Sequence, residues 1–505
     1  MKKIYFSLML AVAALFTSCD MDKAPYGALD ENTAVQSMND VTSFRNGLYG
    51  NLRSITNSNW LFYPEVQMDI FHGLINNGNR GGSFSNGLLN SSDGDIESFF
   101  SSMYFVIAKT NYFINKVETM KADAAFADNL DVLNRYQGEA RFVRAYCYFW
   151  LAEHFCRPYD AAAGDQAALG MPIVTEYNPS GMVETYPSRS TLNETYKLIE
   201  DDLAAALTAL QTIEQTDKTQ LVPEASYLSS NAVLSLQARV ALAKKDYATA
   251  LTKAEQVINS GIYTLVEPEA YADMWSKDTG SEIIFMPFAN KNELPGGLGS
   301  NFLSNTDDQS DYITTFEMLN LYGDGDVRFD AFFTVNRLNV EGTLYGAYVF
   351  NKFPGNDDLR TATTRNFQNK AKVFRLSEIY LIAAEAAAAS GNAEKANKYL
   401  NDLRAKRIID YTAETYSGTE LQNQIREERL KELIGEGFRF TDLRRWNMGF
   451  QRYGDHPENP ALNSVIVAAG RELGYDKDDH RFIWPIPSTE MDANPNLKGQ
   501  QNPGY

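Results

Sequence analysis

Apolar residues recur at helical spacing through much of the chain, and the longest such runs set its framework. Periodic segments over Val41–Leu52, Phe99–Val117 and Leu130–Phe155 predict three helices. The third carries Phe142, Tyr146, Tyr148, Phe149, Trp150 and Phe155 round nearly its whole circumference, which predicts a central, buried helix that Pro158 ends. Thr191 and Glu194 have the spacing of a capping box and launch a helix through Leu210, with Leu192, Tyr196, Ile199, Leu203 and Leu207 on one face. A repeat follows: Ala238, Ala241, Asp246 and Ala250 parallel Ala384, Ala387, Asn392 and Ala396 at a fixed offset. In both copies, alanines lead into a tight Asp/Asn turn and a second helix, the pattern of a tetratricopeptide-type helix–turn–helix unit. The helix 424–434 interleaves Glu427, Glu428, Glu432 and Glu436 with Arg426, Arg429 and Lys431, which predicts a solvated, salt-bridged face with a structural role.

Between these helices lie long irregular stretches. Residues 56–95 hold Trp60, Phe62 and Tyr63, then Asn76, Asn77, Gly78, Asn79, Arg80, Gly81 and Gly82. Residues 265–370 contain strand-like runs at 282–288 and 344–353. The fold class expected is mainly α: a tetratricopeptide-repeat-like helical scaffold with long irregular loops and a few short strands. Loops of such length on a rigid scaffold are where binding residues concentrate.

The first residues read as an address. Lys2 and Lys3 precede an apolar run, Ile4 to Phe16, too short for the roughly 20 residues that a bilayer span requires. Thr17 and Ser18 before Cys19 resemble a bacterial lipobox, so residues 1–18 are expected to be cleaved as a lipoprotein signal peptide and Cys19 lipidated. Residues 19–32 then form a lipidated polar tether. Cys147 and Cys156 fall nine positions apart on one predicted helix, about 13 Å along its axis, too far for a disulfide; both are expected to be buried free thiols.

Composition narrows the function. Across 505 residues there are 46 Lys+Arg against 65 Asp+Glu, a net charge of −19, which repels phosphate backbones and excludes a nucleic-acid partner. No P-loop, G-x-S-x-G, H-E-x-x-H or C-x-x-C occurs, and Gly297-Leu298-Gly299 lacks the third glycine of a dinucleotide fingerprint. The Asp93–Asp95 and Asp324–Asp326 pairs read as turns, and the four scattered histidines as surface or capping groups. No metal, cofactor or catalytic site is expected. The loops instead place aromatic planes beside amides and carboxylates, the combination that stacks on the C–H faces of a sugar and pairs with its hydroxyls. Trp60, Phe84, Trp275, Phe302, Tyr312, Tyr345 and Tyr348 are candidate platforms.

These residues resemble the SusD/RagB family. The matching segments run in order from Phe44–Tyr49 and Tyr104-x-x-Ile107-x-x-x-Asn111, through Arg144-Ala145-Tyr146 with Gly170-Met171-Pro172, to Arg189, Tyr196 and Asp202-Leu203. They continue with Glu282–Phe285, Asp326-x-Arg328, Arg375–Glu385, the specific run Ile425–Trp446, Trp484-Pro485-Ile486-Pro487, and Asn494 to Tyr505. The resemblance spans the mature chain, read as an N-terminal region 33–222 and a C-terminal region 223–505 packed as one body. It implies a non-enzymatic lipoprotein on the extracellular face of the outer membrane, which captures oligosaccharides and hands them to a SusC-like TonB-dependent transporter. By position, the family's polar and aromatic ligand residues correspond to Asp69, Arg80 and either Phe99 or Phe100. A phenylalanine there, where starch-binding relatives have tryptophan, leaves the glycan open. Peptide capture is the alternative binding reading, and glycoside hydrolysis the enzymatic one.

Overall fold

The computed structural model describes residues 34–505 except 58, 76–79, 160, 162–167, 180, 218–224, 304–309, 455 and 457–458. The expected signal peptide, Cys19 and the tether lie outside the described residues, as does the run Asn76–Asn79. The chain divides into a short unit, 1–46, and a large one, 47–505.

Helix α1 (Met38–Ile55) opens the described chain. Helix α2 (Asn59–Val66) and strand β1 (Phe71–Gly73) follow. Helix α3 (Gly94–Lys121) begins at Asp93, whose carboxylate accepts the Asp95 and Ile96 N–H groups at 3.0 and 3.4 Å, so Asp93 is a helix cap. Helix α4 (Leu130–Phe155) is central as its aromatic pattern predicts: from Gln137 to Phe155 every residue except Arg141 is buried. Both Cys147 and Cys156 are free and buried. Strands β2 (Leu169–Pro172) and β3 (Arg189–Thr191) pair antiparallel and feed helix α5 (Leu192–Thr216). Its capping box is complete: Thr191 Oγ1 accepts the Glu194 N–H at 3.2 Å, and Glu194 accepts the Thr191 N–H at 2.8 Å. Gly170 sits where a Cβ would lie 2.3 Å from the Thr191 carbonyl oxygen, so the β2–β3 contact needs a glycine.

Helices α6 (Ser230–Ala243) and α7 (Tyr247–Asn259) form the first alanine-rich pair. Beyond them come α8 (Tyr271–Ser276), β4 (Ile283–Phe285), β5 (Tyr312–Thr314), α9 (Phe316–Leu319) and α10 (Val327–Phe332). Strands β6 (Phe333–Val340) and β7 (Thr343–Phe350) make a hairpin, followed by β8 (Phe374–Arg375) and the second alanine-rich pair, α11 (Leu376–Ala389) with α12 (Ala393–Arg404). Helices α13 (Gly418–Leu433) and α14 (Arg439–Trp446) precede β9 (Phe450–Gln451) and β10 (Gly474–Tyr475). Both pairs turn as the sequence predicts, through a left-handed residue (Lys245, φ 58°; Gly391, φ 79°) and a capping Asp246 or Asn392 that accepts an N–H at 3.1 Å. Their contact faces are alanine: Ala241, Ala250 and Ala254 in one pair, Ala384, Ala387 and Ala396 in the other, all buried. Among the described residues every sheet is a two-stranded antiparallel pair: β1–β5, β2–β3, β4–β8, β6–β7 and β9–β10.

The charged helix α13 departs from expectation. Its charges predict a solvated face, yet Glu428 and Glu432 are 0 % exposed and Arg429 1 %. Their partners come from distant segments that local spacing cannot reveal. Arg328 binds Asp326 (2.7 Å), Glu428 (2.6 Å) and Glu432 (3.1 Å); Arg407 bridges Glu282 (2.9 Å) and Glu432 (3.0 Å). Arg404 binds Glu428 at 2.7 Å, while Arg375 and Lys352 meet at Glu436 (2.6 and 2.7 Å). These bases and acids cancel, and the structural role expected of the helix is carried from inside the protein.

Candidate functional site

The β6–β7 hairpin builds one wall of a hollow lined largely by aromatic rings and carboxamides. Glu341 and Gly342 both take positive φ (50° and 85°), the two-residue turn whose twist suits a tight hairpin. That turn fixes the register Leu338↔Tyr345 and Val335↔Tyr348, so side chains alternate strictly between two faces. One face, with Leu338, Val340, Ala347 and Val349, is buried on Leu74, Ile313, Leu462, Val465 and Ile466. The opposite face leaves Val335 67 % and Tyr348 41 % exposed.

Beside that outer face lies a groove of about 450 Å³, within the range of ligand pockets. Helix α9 contributes Phe316 and Leu319, with Asn320 just beyond it; α10 contributes Phe329; the last segment contributes His456, Asn459 and Leu462. Phe329 meets Tyr348 edge-on at 5.2 Å, and Phe316 meets His456 at 5.1 Å. The Asn459 side-chain amide donates to the Gly346 carbonyl at 2.6 Å and ties the far rim to the hairpin. A Cβ on Gly346 would touch nothing within 4 Å, so this position keeps the groove open. Tyr322 closes one side with its hydroxyl on the Lys431 carbonyl at 2.9 Å; burial pushes its phenol well above the ordinary tyrosine value, so it stays neutral. The result is a set of aromatic edges and faces interspersed with carboxamides.

Of the residues the sequence singles out, Tyr348 stands in this groove, and Tyr345, on the opposite hairpin face, is partly buried against the cluster below. Trp60 and Phe99 come together elsewhere, at 4.4 Å, beside a hollow of about 100 Å³ that Tyr63, Asp95 and Ser98 also line. Trp60 is partly buried and spends its indole N–H on the Ser54 carbonyl at 2.8 Å. Several expected platforms are corrected to core residues. Phe99 (2 % exposed) packs on Trp484 and His154, Phe100 (3 %) on Tyr104 and Phe155, and Phe84 (0 %) stacks on Tyr63. Phe302 (1 %) and Tyr312 (0 %) close around Phe62, and the Tyr312 hydroxyl donates to the Arg80 carbonyl at 2.6 Å. Trp275 (2 %) lies among Phe332 and Phe353, with the Lys352 and Lys372 ammonium groups 4.4 and 4.7 Å from its ring. Phe99, Phe100, Trp275 and Tyr312 fall on helices or a strand and bury their rings against the scaffold, so irregular-looking sequence alone does not make an aromatic a platform.

Both polar candidates are engaged within the protein. Burial opposes the charge on Asp69, but the Arg439 guanidinium (2.6 and 2.8 Å) overrides it and holds the carboxyl below the usual range. Arg80 keeps part of its surface exposed while it pairs with Asp311 and donates to the Ser300 carbonyl at 3.0 Å. Sequence reasoning missed Phe316, Asn320, Phe329, His456 and Asn459. Only the outward alternation of the hairpin strands hinted at a platform here, and the other walls arrive from chain segments more than a hundred residues apart.

Known proteins agree with this architecture. Residues 334–505 match the sequence model of the SusD family, and residues 21–242 match a model described as starch-binding associating with outer membrane. The SusD-like protein P2 of Formosa agariphila is 23 % identical over the whole of both chains. A solved SusD superfamily protein from Bacteroides thetaiotaomicron is 29 % identical, with 93 % of this chain and all of that one covered and a TM-score of 0.77. Another, from Bacteroides vulgatus, is 25 % identical with the same coverage and a TM-score of 0.75. Family models at both ends and full-length structural agreement lead to one conclusion: the chain belongs to the SusD family.

Proposed function

We propose that this protein is a cell-surface lipoprotein that holds an oligosaccharide in the hairpin groove and passes it to a SusC-like TonB-dependent transporter, with no bond made or broken. The observation that carries this reading is the groove itself, where Phe316, Phe329, Tyr348 and His456 offer rings and Asn320 and Asn459 offer amides. Aromatic planes suit the C–H faces of pyranose rings, and carboxamides suit their hydroxyls. The family description of starch binding in association with the outer membrane supports the same chemistry. In this reading Cys19 carries the lipid, and the two alanine-lined helix pairs are tetratricopeptide-type units that hold the groove in place. An open groove of this size suits a Kd of roughly 10⁻⁶ to 10⁻³ M, weak enough for hand-over. The test is calorimetry with a panel of oligosaccharides. Tyr348→Ala and Phe329→Ala, each with an unchanged circular dichroism spectrum, should weaken binding at least about tenfold, roughly 1.4 kcal/mol. A bound glycan indifferent to both changes would place the site elsewhere.

A further inference from the structure

Resting on that reading, we propose that the oligosaccharide taken by the groove is one without formal charge, rather than a uronate or sulfated glycan. Among the described lining residues no Lys, Arg, Asp or Glu occurs. The polar groups on its lining are the Asn320 and Asn459 amides, the Tyr348 phenol and the His456 imidazole, while the Tyr322 hydroxyl is spent on the Lys431 carbonyl. His456 Nδ1 accepts the Asn459 backbone N–H at 3.1 Å, so this ring nitrogen is engaged within the last segment.

The bases around the groove do not alter this. Arg328, next in sequence to Phe329, is 0 % exposed and committed to Asp326, Glu428 and Glu432. Arg452, 1 % exposed, gives its guanidinium to the carbonyls of Val66, Met68, Ser85 and Gly470. Arg337 shares the outer hairpin face, opposite Gly346, but does not line the hollow. Against it, Glu317 and Asp330 are exposed immediately after Phe316 and Phe329. The chain as a whole carries −19. A carboxylate or sulfate drawn into such a groove would lose water without gaining a paired base, and would approach through a repulsive field. Uncharged hydroxyls meet neither obstacle, because the amides and the Tyr348 phenol satisfy them directly.

The experiment compares two ligand sets of equal length by calorimetry. One holds neutral oligosaccharides (gluco-, manno- and xylo-configured), the other oligogalacturonates, oligoalginates and sulfated galactans. A neutral ligand should bind at least about tenfold more tightly than any anionic one. Its affinity should shift less than twofold between low and high salt, and less than twofold in Arg337→Gln. An anionic ligand that binds more tightly, depends on Tyr348, and is lost in Arg337→Gln or in high salt overturns the proposal while leaving the groove as the glycan site. Binding by neither set, or binding indifferent to Tyr348→Ala, overturns the groove reading and this inference with it.

Discussion

Glu432→Gln is the sharpest test of what holds the scaffold together. The Glu432 carboxylate is 0 % exposed and receives Arg328 at 3.1 Å, Arg407 at 3.0 Å, Arg375, and the Tyr271 hydroxyl at 3.2 Å. At such separations each ion pair amounts to about 5 kcal/mol of gross attraction at an effective dielectric near 20, most of it offset by the loss of hydration. Glutamine keeps the shape but removes the charge, which leaves the cluster of Arg328, Arg407 and Arg375 one negative charge short, although each keeps at least one other carboxylate. Breaking a buried pair in this way costs about 3–5 kcal/mol. Urea unfolding followed by circular dichroism should show the midpoint fall at unchanged slope. The control is Asp201→Asn: the Lys197–Asp201 pair, 72 % and 61 % exposed, should contribute under about 0.5 kcal/mol. Acid provides a second readout. Burial would raise the Glu428 carboxyl, but Arg328, Lys431 and Arg404 outweigh it and hold it down to about 2, and the guanidiniums of Arg407, Arg375 and Arg328 hold Glu432 lower than usual in the same way. A depressed carboxyl stabilises fully above its unfolded value, about 4.3, and loses that contribution as pH falls through the folded value. The acid limb should therefore be shallower in Glu432→Gln than in wild type. A loss under about 1 kcal/mol, with an unchanged acid limb, would refute the claim that this network is held by charge and not by packing alone.

Two further outcomes follow from single sites. Thr191→Ala removes the capping-box oxygen at the start of α5 and should cost about 1 kcal/mol in the same urea assay. Burial pushes the His72 and His154 imidazoles down to about 3, so neither should titrate by NMR near neutrality. Below about 6.5 the unfolded chain binds protons at these rings that the native state refuses, so stability declines toward pH 3, and His154→Phe should reduce that decline.

Much of the helical frame was legible because its signals are local. The ends of α4, the Thr191–Glu194 box and the two alanine pairs each depend on residues within a few turns of one another, where propensity and periodicity act. The site was legible only in part. Tyr345 and Tyr348 look alike in sequence, and a hairpin register three residues apart sends one toward the core and the other to the groove. Trp275 and Tyr312 sit in loop-like composition yet are drawn inside by partners such as Lys352 and Arg80 that lie far along the chain. Charge patterning failed on α13 for the same reason, since a helix face rich in Glu and Arg reads as solvated unless the distant guanidinium groups that bury it are known.

The same distant pairing explains how an irregular region can present a shaped groove. Arg328 and Phe329 are neighbours on α10 with opposite duties: one is locked inside by three carboxylates, the other lines the groove against Tyr348. Tyr322 repeats the device, its ring on the groove side and its hydroxyl on the Lys431 carbonyl of α13. Phe329 and Tyr322 are thus fastened at or beside a charge or hydrogen bond that belongs to the core. In the proposed function, rings fixed in advance lose little conformational freedom to a ligand, so a modest set of stacking contacts suffices. On this account the buried charge of α13 is the foundation of the groove side that Phe329 and Tyr322 form.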